Sequence, residues 1–125
     1  MEALGKHLLL ELTGCDAALL NDIEYLRKVV SDTAGQIGAT VIKDSFYQFT
    51  PQGVSVVVII AESHISIHTW PEYGFAAVDV FTCGDVIDPK KAVQPFVEKL
   101  KAASSSYIEM QRGLGNAVRE AVSWK

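Results

Sequence analysis

Val54-Ser55-Val56-Val57-Val58-Ile59-Ile60, Ile65-Ser66-Ile67-His68-Thr69 and Phe75-Ala76-Ala77-Val78-Asp79-Val80-Phe81-Thr82 are three runs that decide how this chain folds. The first is dominated by β-branched residues and reads as a buried strand. The second alternates apolar with polar residues at a period of two, which is a strand with two different faces. The third begins after Trp70-Pro71-Glu72-Tyr73-Gly74, a turn in which proline removes a ladder donor and glycine permits positive φ. Consecutive strands joined by turns this short must pair antiparallel.

Working outward, Thr40 to Phe49 alternates well enough for a strand, and Pro51-Gln52-Gly53 turns it back into Val54. His7 to Leu12 is a further strand, broken at Gly14. Leu19, Ile23, Leu26, Val30, Ala34 and Ile37 follow steps of three and four, so they form one face of a helix. Asp16 or Asn21 can cap it, and Asn21 with Glu24 has the spacing of a capping box. Gly35 and Gly38 close it. Asp88-Pro89 opens a second helix, whose buried stripe is Val93, Phe96, Val97 and Leu100, with Pro95 expected to kink or shorten it. A last strand falls near Ser106 to Met110. The pattern defines no element over residues 113–125. The expected fold is α+β: a two-layer sandwich with two helices on one face of an antiparallel sheet. The strands are apolar on both faces, so the sheet's uncovered face is expected to pair with that of a second copy in a homodimer.

With 125 residues and no linker or repeat, the chain reads as a single domain spanning 1–125. A net charge of −4 gives no basic footprint for nucleic acid, and the apolar fraction of 49% fits a globular protein. The longest apolar run, Val54 to Ala61, is too short to span a bilayer, and the start lacks the pattern of a signal peptide. The two cysteines, Cys15 and Cys83, sit far apart in different contexts, which favours a reducing cytoplasm over a disulfide framework. No nucleic-acid or membrane partner is therefore expected.

Between the first two runs lies Ala61-Glu62-Ser63-His64, and here packing needs do not explain the residues. A serine hydroxyl can attack the carbonyl of the residue before it when the peptide is held strained and a base is near. Glu62–Ser63 would then become an ester. Loss of the Ser63 α-proton would expel it by β-elimination, and hydrolysis would leave a pyruvoyl group at the new N-terminus of a 63–125 fragment, beside a 1–62 fragment. A pyruvoyl carbonyl can form a Schiff base with a substrate amine and act as an electron sink. His68 is the natural base for the elimination. Parity puts Ser63 and His68 on opposite faces of one continuous strand, so Ser63 is expected in the turn. Cys83 ends the third run beside Gly84, accessible enough to be a proton donor or nucleophile, whereas Cys15 reads as structural. Ser55, the one hydroxyl in an apolar strand, needs a partner, either local backbone or the cleavage site. Phe49 and Trp70 flank turns and could stack on a planar or cationic ligand, with Glu72 taking a hydroxyl or a cation. The histidine and cysteine spacing matches no zinc pattern, and no metal is expected.

Phe49-Thr50-Pro51-Gln52-Gly53-Val54-Ser55, Ala61 to Gly74 and Asp79-Val80-Phe81-Thr82-Cys83-Gly84, with the opening Leu4-Gly5-Lys6-His7 and Glu11-Leu12-Thr13-Gly14-Cys15-Asp16, resemble the bacterial and archaeal S-adenosylmethionine decarboxylase proenzymes. The likeness implies self-processing at Glu62–Ser63 into a β chain, 1–62, and an α chain, 63–125. It implies decarboxylation of S-adenosylmethionine by the Ser63-derived pyruvoyl group, for spermidine synthesis. It gives processing roles to Glu62, Ser55 and His68, protonation of the carbanion to Cys83, and substrate contacts to Phe49, Trp70 and Glu72. It points to a homodimer of αβ protomers, half of a longer eukaryotic relative each. Val56 stands where the family usually has glycine, and Ala61 where it often has serine. These departures leave room for arginine or ornithine as substrate, and an unprocessed, non-catalytic nucleoside-binding homologue is the remaining alternative.

Overall fold

A computed structural model describes residues 4–113 and 119–123. Its frame is one seven-stranded antiparallel sheet in the order β2-β3-β4-β5-β1-β6-β7. The strands are β1 (Gly5–Thr13), β2 (Val41–Gln48), β3 (Val54–Ile60), β4 (Ser63–Trp70), β5 (Phe75–Cys83), β6 (Ser104–Arg112) and β7 (Arg119–Ser123). β7 pairs with β6 and lies in the stretch to which the sequence pattern assigned no element.

The helices all lie on one face. α1 (Ala17–Leu20) is a single turn, α2 (Ile23–Gln36) is the long helix, and α3 (Val93–Leu100) follows the 3₁₀ turn Pro89–Ala92. Asp16 caps α1 and Asp22 caps α2, each accepting main-chain N–H bonds. Asn21 is therefore not the N-cap that the capping-box spacing suggests; Asp22, one residue on, takes that place. Pro95 falls in the first turn of α3, where its missing N–H is not needed, and the helix is short rather than kinked.

Period-two patterning sets the two sheet faces. Leu8, Leu10 and Leu12 of β1, Val54, Val56 and Val58 of β3, Ile65 and Ile67 of β4, and Ala76, Val78 and Val80 of β5 point at the helices and are buried. They close on Leu26, Val29, Val30, Ala34, Phe96 and Leu100. Each fully buried Leu, Ile or Val contributes about 1.5–3 kcal/mol of transfer free energy. β2 is an exposed edge strand tied to α2 by Arg27, which bonds Asp44 at 3.0 Å and stacks 3.7 Å over Phe46. Among the described residues, the other face carries no helix. It presents Ser55, Val57 and Ile59 of β3, His64, Ser66, His68 and Trp70 of β4, Asp79 and Phe81 of β5, and His7, Leu9 and Glu11 of β1, by the register of the ladders. No helix among the described residues is long and apolar enough to cross a membrane.

Candidate active site

Ser63 is the first residue of β4, paired with Thr82 of β5. The expectation of Ser63 in the turn is thus corrected: the turn is Ala61-Glu62 alone. Its backbone does what the turn was expected to do. Ser63 has φ +146°, a region that residues with a side chain rarely adopt and that costs on the order of 1–3 kcal/mol to hold. The corner is held from both sides. The Cys83 N–H donates to the Glu62 carbonyl oxygen at 2.8 Å, Ala61 N–H donates to the Thr40 carbonyl at 2.8 Å, and Thr40 N–H donates to the Glu62 carboxylate at 3.2 Å. Ser63 attacking the Glu62 carbonyl carbon would put negative charge on an oxygen that already has a main-chain donor. The Cys83 thiol ends β5 and is exposed; Cys15 is buried, and burial pushes its thiol pKa up.

A second group forms at the other end of the same strands. Ser55 of β3 and His68 of β4 are register partners, and Ser55 Oγ lies 2.7 Å from His68 Nδ1. For Nε2 to take a proton, Nδ1 must carry one and donate it to Ser55 Oγ. These two line a cavity of about 380 Å³ with Phe49, Gln52, Gly53, Trp70 and Glu72. The cavity is of the size that takes a small organic ligand. Phe49 is 48% exposed, Trp70 packs on Phe75 at 5.5 Å, and Glu72 offers an exposed carboxylate at the rim.

The structure thus sorts the expected residues into two sets: Glu62, Ser63 and Cys83 at one end, and Phe49, Ser55, His68, Trp70 and Glu72 at the other. Within β4, Ser63 and His68 are five positions apart. At the rise of a strand that is about 16 Å, well beyond proton-transfer reach. His68 is therefore not beside Ser63 within one chain, contrary to the nearness that their sequence spacing suggests. An extended strand carries sequence neighbours apart.

Two features escaped the sequence. The Cys83 N–H on the Glu62 carbonyl is a main-chain group, invisible in residue identity. The other is a cluster on the open face near Ser63. His7 packs on Phe81 at 5.2 Å and on His64 at 6.2 Å, and Arg112 sits 5.0 Å from the Phe81 ring. His7 Nε2 is buried and has no hydrogen-bond partner among the described residues, with Asp79 4.0 Å away. Burial holds the His7 pKa below the usual histidine value; Asp79 opposes that shift, while Arg112 and His64 add to it. The alternation of β1 was the signal that put His7 on this face. Among the described residues no three His, Cys, Asp or Glu side chains gather to hold a metal ion.

The family described as S-adenosylmethionine decarboxylase matches residues 6–113. An S-adenosylmethionine decarboxylase proenzyme of Clostridium tetani is 52% identical over 114 residues, covering 91% of this chain and 90% of that protein. The crystal structure of the adenosylmethionine decarboxylase of Aquifex aeolicus superposes with a TM-score of 0.84 at 37% identity, over 93% of this chain and 96% of the other. AdoMetDC-delta26 of Trypanosoma brucei shares the fold at a TM-score of 0.63 and 16% identity, and the match covers 84% of this chain and 45% of that longer one.

Proposed function

Because the chain belongs to the S-adenosylmethionine decarboxylase family, we propose that it cuts itself before Ser63 and that its working site is shared between two copies. The enzyme is a carboxy-lyase acting on S-adenosylmethionine in polyamine synthesis, and its cofactor is a pyruvoyl group made from Ser63. Relatives bearing that activity in their names, at about half identity over most of the chain, leave no support for arginine, ornithine or a non-catalytic role.

The observation that carries the processing step is the strained Ser63 backbone with the Glu62 carbonyl already on the Cys83 N–H at 2.8 Å. Ser63 Oγ attacks that carbonyl carbon. The Glu62–Ser63 C–N bond breaks, the freed nitrogen takes up the hydroxyl proton, and an ester remains. A base then removes the Ser63 α-proton. The Cβ–Oγ bond breaks, Glu62 departs as the C-terminal carboxylate of the 1–62 fragment, and dehydroalanine is left at position 63. Its enamine shifts to an imine, and water releases ammonia. Once formed, the pyruvoyl group at position 63 would supply an electrophilic carbonyl and an electron sink for the substrate amine. Cys83, exposed at this end, delivers the proton that the substrate Cα needs afterwards.

The base is His68, but of a second copy, since the chain's own lies about 16 Å along the strand. His68, Ser55 and the Cys83 end all belong to the open face by parity. Two open faces stacked about 10 Å apart, around a two-fold axis lying between them and perpendicular to the strands, place the Ser63 end of one over the His68 end of the other. That pairing also covers Leu9, Val57, Ile59 and Phe81. The cavity takes the nucleoside: Phe49 and Trp70 offer π-faces to adenine and to the cationic sulfonium, and Glu72 accepts from ribose hydroxyls. We place the enzyme in the cytoplasm, where both cysteines stay free thiols, and read residues 1–125 as one domain that ends as two interlocked fragments.

The test is carbon dioxide release from carboxyl-labelled S-adenosylmethionine, arginine and ornithine. Release from S-adenosylmethionine alone, abolished by Ser63→Ala, is expected. Release from arginine or ornithine at a higher kcat/KM would overturn the substrate assignment.

A further inference from the structure

The loop over the cavity is held from the helix side of the sheet. Asn21, the C-cap residue of α1 in the corner between α1 and α2, turns its carboxamide to the β2–β3 loop instead of capping the N-terminus of α2. Its Oδ1 accepts from the Gly53 N–H at 2.9 Å and from Gln48 Nε2 at 3.0 Å. Both donors face one atom, and a main-chain N–H can only donate, so that atom must be the oxygen. Gln48 Nε2 also donates to the Gly53 carbonyl at 3.0 Å, and Phe49 N–H donates to the same carbonyl at 2.8 Å. Asn21, Gln48 and the Gly53 peptide therefore close the base of the loop that carries Phe49.

The residue before Asn21 holds the other wall. Thr69 Oγ1 donates to the Leu20 carbonyl at 2.7 Å and accepts from the Val54 N–H at 2.9 Å. Thr69 is buried and lies between His68 and Trp70. Gly53 has φ +107°, and a Cβ there would stand 3.2 Å from the Thr69 carbonyl oxygen. The loop thus sits close against β4, with no side chain between. Phe49 itself is half exposed, and its ring packs edge-on against Tyr47 at 4.9 Å. Packing does little to fix this ring. The hydrogen bonds at the loop base do more.

We infer that Asn21 is a positioning residue for the nucleoside end of the substrate, setting Phe49 over the cavity through its carboxamide oxygen. The inference rests on the cavity being the nucleoside site, as proposed above. Asn21 is not among the residues that line the cavity. Removing it should therefore loosen substrate binding and leave the chemical steps alone, which gives a KM effect without a kcat effect. Only the oxygen is used, so aspartate, an acceptor of the same shape, should serve in its place.

The experiment is steady-state kinetics of the self-processed enzyme on S-adenosylmethionine, with the extent of self-cleavage measured on each preparation. Asn21→Ala should raise KM about three- to tenfold, the loss of one or two modest hydrogen bonds, with kcat within about twofold and self-cleavage unchanged. Asn21→Asp should restore KM to near the unsubstituted value. Phe49→Ala should raise KM, and adding Asn21→Ala to it should raise KM little further, because the two act through one ring. Unchanged KM in Asn21→Ala beside a raised KM in Phe49→Ala would overturn the role of Asn21 and leave the cavity assignment standing. Unchanged KM in Phe49→Ala would overturn the cavity assignment itself. Asn21→Ala that fails to self-cleave, or Asn21→Asp as impaired as Asn21→Ala, would make Asn21 a fold residue and end the inference.

Discussion

Ser63 and His68 begin and nearly end the same strand, and a mixed dimer tests what that separation implies. Take one chain with Ser63→Ala and another with His68→Ala, and express them together. Alone, the first has no nucleophile. Alone, the second has no base in either copy, and loss of a positioned general base costs about 10²–10⁴-fold in rate. In a mixed dimer of the proposed kind, Ser63 of the His68→Ala chain would face the intact His68 of its partner, so one site would be whole. The roughly 16 Å between the two positions within β4 forbids the same repair inside one chain. If the chain forms the proposed two-fold dimer, random pairing of equal amounts puts about half of the His68→Ala chains in mixed dimers. We predict that up to that half is cleaved at Glu62–Ser63 and the Ser63→Ala chain never is. Gel separation of differently tagged chains, with mass spectrometry of the fragments, reads the result. If the co-expressed His68→Ala chain is cut no faster than it is alone, the shared site is refuted.

Cys83→Ala keeps the main-chain N–H that the Glu62 carbonyl uses at 2.8 Å and loses only the thiol. It should self-cleave normally, turn over about 10²-fold more slowly and inactivate faster per turnover, because protonation then falls on the pyruvoyl-derived carbon; an unchanged kcat would remove the thiol from the mechanism. His7 is held below the ordinary histidine pKa mainly by burial. A depressed folded value means stability is full above the unfolded pKa of about 6.5 and is lost as pH falls toward the folded one. Thermal unfolding should show Tm dropping between pH 7.5 and 5.5, and His7→Gln should flatten that drop. An equal slope in both proteins would show that His7 is not its source.

The sheet was legible because its strands alternate cleanly. Val54 to Ile60 and Ile65 to Thr69 sit where their β-branched residues and their period of two place them. Helix α2 was legible from Leu26, Val30 and Ala34. The cap was misread at Asn21 because Asn and Asp cap equally well, and sequence spacing does not say that the Asn21 oxygen is occupied by Gly53 and Gln48 instead. Parity alone does not bring Ser63 toward His68, so the sequence points to a turn at Ser63. The chain answers with a positive φ at the start of β4, which no residue pattern announces. Phe49, Ser55, His68, Trp70 and Glu72 do gather, but away from Ser63 and Cys83. Chemistry-bearing residues can be picked out of a sequence one by one. Which of them meet within a chain depends on strand length, and which meet across a two-fold axis depends on a face that one chain leaves open.

The most direct test of the account is the intact mass of the purified protein, before and after reaction with S-adenosylmethionine and cyanoborohydride. Two fragments are expected, residues 1–62 and residues 63–125, the second starting in a pyruvoyl group. The 63–125 fragment alone should gain the mass of the reduced, decarboxylated substrate. A single uncut chain of 125 residues, or substrate trapped on the 1–62 fragment, would contradict it.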